Sequence, residues 1–296
     1  MKFGTVQNPD DIDFYLPEDP PETAEVLSKY ENGMPDIYVG CPKWTRQELK
    51  GFYPRGTKDE LEYYGSQFNA IELNATFYRN FPPRQITNWY EKVPSGFRFF
   101  PKVNRQISHR KLLKNVDNTR ENFLDSILHF KEKLGTIFMQ LHEDFSPDYF
   151  DRLQKFIEKW PDDLPLAVDF RNPDWFNDTE ASEELYELLE EHDVANIIVD
   201  TAGRRDLLHM RLTNNNAFIR YVGANHPSDY DRLDDWVKRL KMWNNQGLQN
   251  IQFFVHQNEE NASPKLSAYF IKTLNKAIGS DVNFPNLAGS GQGDLF

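Results

Sequence analysis

Eight short apolar runs recur at intervals of about 30 residues, room enough for one strand, one crossover helix and two loops. They are IYVG (37–40), AIEL (70–73), FRFF (97–100), TIFMQ (136–140), LAVDF (166–170), NIIVD (196–200), AFIRY (217–221) and IQFFV (251–255). Helical signals fill the gaps. Thr57 and Glu60 form a capping box expected to open a helix over 58–68. Leu153, Ile157 and Trp160 make one apolar stripe, and Leu233, Trp236, Val237, Leu240 and Trp243 another. Eight strand–helix units in a row predict an α/β protein of the (β/α)8 TIM-barrel class, whose working end is the rim where the strands' C-termini meet.

Composition supports one such domain with additions at both ends. Hydrophobic residues make up 39% of the chain and aromatics 14%, enough for a sizeable core. No apolar stretch is long enough to span a membrane. The start shows no basic region followed by an apolar one, and the sole cysteine, Cys41, has no internal disulfide partner. A soluble cytoplasmic protein is expected, with no membrane partner. Much of the net charge of −12 lies in residues 1–36, read as an acidic N-terminal arm. The barrel is expected over 37–278. The stretch 279–296, rich in Gly, Ser and Asn, is expected to be a disordered tail.

A barrel brings the strand ends to one pocket. That predicts a mouth built from Cys41 and Trp44; Glu72, Asn74, Thr76 and Tyr78; Lys102, Arg105 and His109; Gln140 and His142; Asp169, Arg171 and Trp175; Asp200; Arg220, Gly223, Asn225 and His226; and His256 and Asn258. The segment RFFPKVNRQISHRKLLK (98–114) carries six Lys or Arg and no acid. Read plainly it is a solvated basic loop. Read more sharply, Lys102, Arg105 and His109 bind an anionic group, phosphate being the usual one in such barrels, and Arg171 and Arg220 add to the same field.

The stretches GCPKW, FYP, FNAIELNATFYR, GFRFFPKVNRQISH, AVDFRNPDWF and FIRYVG resemble the YecE-like family of TIM barrels, a domain of unknown function, over about Ile37 to Ile278. The resemblance implies the barrel independently of the spacing. It points to Glu72, Asn74, Tyr78, Lys102, His109, Gln140, Asp169, Arg171, Asp200 and Arg220 as matching the family's recurring mouth positions. It brings no reaction. Where the family usually reads G-T-S-G-W, this chain has Gly40-Cys41-Pro42-Lys43-Trp44. His142 and His256 also stand where relatives commonly carry other residues.

Several chemistries fit these residues. A divalent metal would be held by Glu72, Asp169, Asp200 and nearby histidines, though no H-x-H or H-E-x-x-H spacing marks it. A retaining glycosidase would need carboxylates after the fourth and seventh strands, where Gln140 and Arg220 stand instead. Metal-free hydrolysis of a phosphate-bearing substrate, nucleic acid included, would use Glu72, His109, Asp169 and Asp200 as proton carriers. Trp44, Asn74, Tyr78, Lys102, Arg105, Gln140, Arg171, Trp175, Arg220 and Asn258 would then hold the substrate. A non-catalytic anion-binding or adaptor protein is the alternative. The last five residues, QGDLF, resemble the Q-x-x-L-F peptide that docks DNA replication and repair proteins on the bacterial sliding clamp. Gln292, Leu295 and Phe296 would make that contact.

Overall fold

The computed structural model describes residues 4–287. Among the described residues there are nine strands: β1 (Asp36–Cys41), β2 (Ala70–Leu73), β3 (Arg98–Pro101), β4 (Ile137–Gln140), β5 (Leu166–Asp169), β6 (Ala195–Asn196), β7 (Ile198–Thr201), β8 (Asn216–Gly223) and β9 (Asn250–Gln257). The α-helices are α1 (Pro21–Leu27), α2 (Glu60–Gln67), α3 (Ala75–Tyr78), α4 (Pro83–Lys92), α5 (Asp117–Ile127), α6 (Phe150–Glu158), α7 (Asp174–Asn177), α8 (Thr179–Glu191), α9 (Ser228–Asn244) and α10 (Ser263–Ile278). The predicted alternation of strand and helix holds except from β6 to β8: one residue separates β6 from β7, and a 3-10 helix over Ala202–Leu207 stands where an α-helix was expected between β7 and β8.

All strand pairings are parallel, in two sheets ordered β3-β2-β1-β9-β8-β7 and β4-β5-β6. The edges of the two sheets meet at two places. Two isolated parallel bridges, Phe99 with Leu134 and Lys102 with Phe138, join β3 to the segment carrying β4. On the other side a single residue, Ile197, separates β6 from β7, and its N–H donates to Val168 O of β5 at 2.9 Å. The sixth run, expected as one strand, is therefore two short ones. Its first part pairs with β5 and its second with β8.

Side-chain alternation divides the strands into two faces. One face builds an inner cluster of Ala70, Phe100, Phe138, Ala167, Ala195, Ile197, Val199, Phe218 and Phe254. Its rings pack closely, Phe100 on Phe254 at 4.9 Å and Phe218 on Phe254 at 5.2 Å between centroids. The other face of the strands packs under the helices: Ile71, Phe99, Met139 and Val168 in one cluster, Val39, Ile219 and Phe253 in a second. The stripe Leu233, Trp236, Val237, Leu240 and Trp243 of α9 is buried in that second cluster, as its helical spacing predicts.

Local detail departs from the sequence at α2. Its N-cap is Asp59, whose carboxylate accepts from the N–H groups of Leu61 and Glu62 at 3.0 and 3.1 Å. Thr57 instead donates to Pro54 O at 2.9 Å, so the expected capping box is absent. An aspartate two residues nearer the helix competes better for the same free N–H groups.

The acidic arm is bound to the body rather than detached. Asp19 pairs with Arg239 and accepts from Trp243 Nε1 at 2.8 Å, both on α9. Arg232 lies 4.4 Å from the Phe14 ring, and Thr5 Oγ1 donates to Asn258 Oδ1 at 3.2 Å. Beyond α10, the described part of the segment read as a tail is tied down too. Asn275 Nδ2 donates to Val282 O at 2.8 Å, and Asn286 N–H to Gln67 Oε1 at 2.8 Å. Among the described residues no helix is long and apolar enough to cross a membrane.

Candidate active site at the strand ends

On β2, β3, β4, β5, β8 and β9 the inward positions continue past the ring layer into polar residues. Two residues beyond Ala70, Phe100, Phe138, Ala167, Phe218 and Phe254 stand Glu72, Lys102, Gln140, Asp169, Arg220 and His256. The two-residue period thus sets a charged layer directly on a floor of phenylalanine rings. The result is a low-dielectric cluster of ionised groups.

Arg220 is its centre. Its Nε and Nη2 donate to the two oxygens of Glu72 at 3.0 and 2.9 Å, and Nη1 donates to Asp169 Oδ2 at 2.9 Å. Asp169 also accepts from Arg171, Nε to Oδ1 at 2.6 Å and Nη2 to Oδ2 at 2.5 Å. Glu72 further accepts from Asn74 Nδ2 at 2.7 Å and from His256 Nε2 at 2.8 Å. Glu72 and Asp169 are essentially inaccessible, at 0% and 1% exposure. Burial alone would raise the Glu72 carboxyl, but the charges of Arg220 and His256 hold it well below the usual carboxylate range. Burial pulls Arg171 down and Asp169 opposes it, while for Arg220 the two acids outweigh burial and raise it.

The amide oxygen of Gln140 receives three cations at once: Lys102 Nζ at 2.9 Å, Arg220 Nη1 at 3.3 Å and Arg171 Nη2 at 3.5 Å. Lys102 sits over the Phe77 ring at 4.5 Å, and His109 packs edge-on to the same ring at 4.8 Å. Burial, reinforced by Arg220 and Arg171, brings the Lys102 ammonium down to about 7. Burial beside Lys102 and His142 brings His109 down to about 4. Both groups therefore carry little or no full charge at pH 8.

Above this layer lies a cavity of about 460 Å³. Gln140, Arg171, Arg220 and His256 form its base, and His109, His142, Arg204, Glu260, Asn258 and Thr5 its walls. The two buried acids lie beneath the guanidinium groups and do not line it. Among the described residues no group of three or more His, Cys, Asp or Glu side chains is arranged to hold a metal ion. Both carboxylates are already engaged by arginine, so the divalent-metal option has no donor set here.

The structure thus brings Glu72, Asn74, Lys102, His109, Gln140, Asp169, Arg171, Arg220 and Asn258 together. It does not bring Asp200 to them. Val199 faces inward and Asp200 outward, where it pairs with Arg232 at 2.9 Å and Arg205 and accepts from Trp236 Nε1 at 2.8 Å. An acid near the strand end made β7 look like β5, but Asp169 stands two residues beyond the inward Ala167 and Asp200 only one beyond the inward Val199. Trp175 is core, its Nε1 donating to Phe145 O at 2.6 Å. Trp44 packs edge-on to Trp89 at 5.4 Å, against the outer layer. Thr76 donates to the backbone oxygens of Leu73 and Lys102, a structural role. Arg105 lies over the exposed Tyr78 ring at 5.6 Å, and neither lines the cavity. His256, expected at the mouth but given no role, joins the cluster, as alternation from Phe254 dictates. Arg204 and Glu260 are the gains, and nothing local marks either. Gln292, Leu295 and Phe296 lie outside the described residues.

A family model described as Protein of unknown function DUF72 matches residues 38–287. The chain belongs to the DUF72 family. This DUF72 chain is 26% identical to YecE of Escherichia coli K12 over 261 residues, 82% of the chain and 94% of YecE. It is 29% identical to YunF of Bacillus subtilis 168 over 156 residues, 48% of the chain and 52% of YunF. In three dimensions it is similar to a DUF72 protein of Thermotoga maritima (TM-score 0.63, 25% identity, covering 81% of this chain and 99% of that one). A DUF72 protein of Enterococcus faecalis gives a TM-score of 0.65 at 18% identity, covering 85% and 100%, which bears on the fold alone.

Proposed function

We propose that the two sheets act as one (β/α)8 barrel whose mouth binds a phosphate-bearing small molecule and hydrolyses it without a metal. The observation that carries this is the convergence of Lys102, Arg171 and Arg220 on the single oxygen of Gln140. A neutral amide oxygen satisfies three cationic donors poorly, and an anionic oxygen at the same spot would do better. With Glu72 and Asp169 turned underneath, the base of the cavity offers guanidinium, imidazole and amide groups, and the carboxylates that line it, Glu143 and Glu260, stand on its walls. A cavity of about 460 Å³ suits a small ligand.

Glu72 and His256 supply the chemistry. The carboxylate fixes the imidazole proton on Nε2, so that Nδ1, 4.0 Å from Glu260 Oε1, can take a proton from water. His109, uncharged at neutral pH, borders the same cavity and would relay protons. The test is turnover of p-nitrophenyl phosphate and sugar phosphates by wild type, His256→Gln and His109→Gln. Loss of His256 is expected to cost on the order of a hundredfold in kcat. Equal turnover by all three proteins rejects the mechanism.

A further inference from the structure

We propose that Lys102 is a nucleophile that forms an iminium link with the carbonyl group of an anionic substrate. This inference rests on the anion-binding reading of the mouth but not on hydrolysis. Of the three cations that share the Gln140 oxygen, the two arginines are also bonded to carboxylates. The hydrogen bond of Lys102 is to the neutral amide. Lys102 is buried at 7% exposure, with two guanidinium groups on the same oxygen and the face of Phe77 4.5 Å from Nζ. Such a setting penalises the ammonium and favours the free amine, the form that attacks carbonyl carbon. An amine brought down to about 7 is populated at neutral pH.

Gln140 lines the cavity and its amide oxygen accepts from Lys102 Nζ at 2.9 Å, so a ligand oxygen displacing that amide would lie beside the amine. Arg171 and Arg220 would hold the substrate's carboxylate or phosphate. The nitrogen lone pair adds to the carbonyl carbon to form a carbinolamine, and a proton passes from nitrogen to oxygen. Addition of one further proton to that oxygen, by way of His109 against the same Phe77 ring, expels water and leaves the iminium. Starting from the ammonium, the sum is ammonium plus carbonyl giving iminium plus water, with charge conserved and no co-reactant.

The experiment is reductive trapping on the full-length protein. Pyruvate or dihydroxyacetone phosphate is added with sodium cyanoborohydride at pH 7, and adducts are mapped by peptide mass. The expected product is a secondary amine on Lys102 carrying the mass of the probe less one oxygen. Its yield should exceed that of any exposed lysine by about tenfold, since exposed amines are almost wholly protonated at this pH. Inorganic phosphate, which should raise the Tm of wild type, should suppress it, and Lys102→Arg should form no adduct. Label absent, or confined to exposed lysines, overturns the proposal. If phosphate still raises Tm in that case, only the nucleophile falls; if it does not, the anion site falls with it. Mapping in wild type decides the matter even if Lys102→Arg fails to fold.

Discussion

Arg220 holds Glu72 in a two-pronged grip, Nε to Oε2 at 3.0 Å and Nη2 to Oε1 at 2.9 Å, between residues 148 positions apart in the chain. A planar guanidinium matches a carboxylate in this way and leaves its third nitrogen for Asp169. The pair organises the mouth: with Arg171 on Asp169, two guanidinium groups balance the two buried acids and face the cavity above them.

Removing that arginine should be costly. Arg220→Met leaves Glu72 and Asp169 short of a buried counter-charge, and a loss of roughly 3–5 kcal/mol is expected in urea unfolding. Arg220→Lys should recover only part of it, because an ammonium cannot grip both Glu72 oxygens in plane. The double variant Glu72→Met with Arg220→Met should be less destabilised than the sum of the single variants. Additivity would show that the grip is not an energetic unit.

Stability should fall in acid in a way traceable to Glu72. Its folded-state carboxyl sits well below the unfolded value of 4.5, so the unfolded chain takes up the proton first. The contribution is complete above pH 4.5 and drains away as pH falls towards the folded value. Glu72→Gln should flatten unfolding free energy against pH below 4.5. An unchanged slope there assigns the acid sensitivity to other groups.

Lys102 gives a slope in a different window. Its folded value of about 7 lies below the unfolded 10.5, so the unfolded chain binds more protons between those limits. Stability is then expected to rise with pH across that range on account of this residue. Burial of the ammonium sets the shift first, and Arg220 and Arg171 add to it against Glu72 and Asp169. Lys102→Met should remove the rise, measured as urea midpoints at pH 7 and pH 10. If wild type and variant keep parallel profiles, Lys102 titrates normally.

Phosphate should bind at the rim as well as the base. Arg204 lines the cavity, paired with Asp206 at 2.9 Å and partly exposed. Its replacement by Gln should weaken phosphate affinity by about threefold to tenfold, the modest value expected for a screened charge. Isothermal titration with inorganic phosphate measures it; undiminished affinity would place the anion away from Arg204.

Asp200 should matter for folding alone. Asp200→Ala strips the buried Arg232 of a carboxylate at 2.9 Å and Trp236 of its acceptor, so a loss of roughly 3–5 kcal/mol is expected. The folded fraction should bind phosphate as wild type does. Weakened binding by properly folded protein would return Asp200 to the pocket.

Spacing and periodicity by themselves determined the alternation of strand and helix, the inward stripe of α9 and the strand ends on which Glu72, Lys102, Gln140, Asp169 and Arg220 stand. These follow from local rules, since one strand's apolar run and one helix's stripe are complete within a few residues. Which neighbours those side chains meet was decided only by tertiary structure. The Glu72–Arg220–Asp169 cluster joins three strands, and its charges are set by burial and by partners far away in sequence. Parity was the dividing line. Where the count from an inner phenylalanine holds, as at Arg220 and His256, the side chain enters the mouth. At Asp200 the same count turns it out towards Arg232 and Trp236, because a strand offers its faces alternately and a single position exchanges mouth for helix layer.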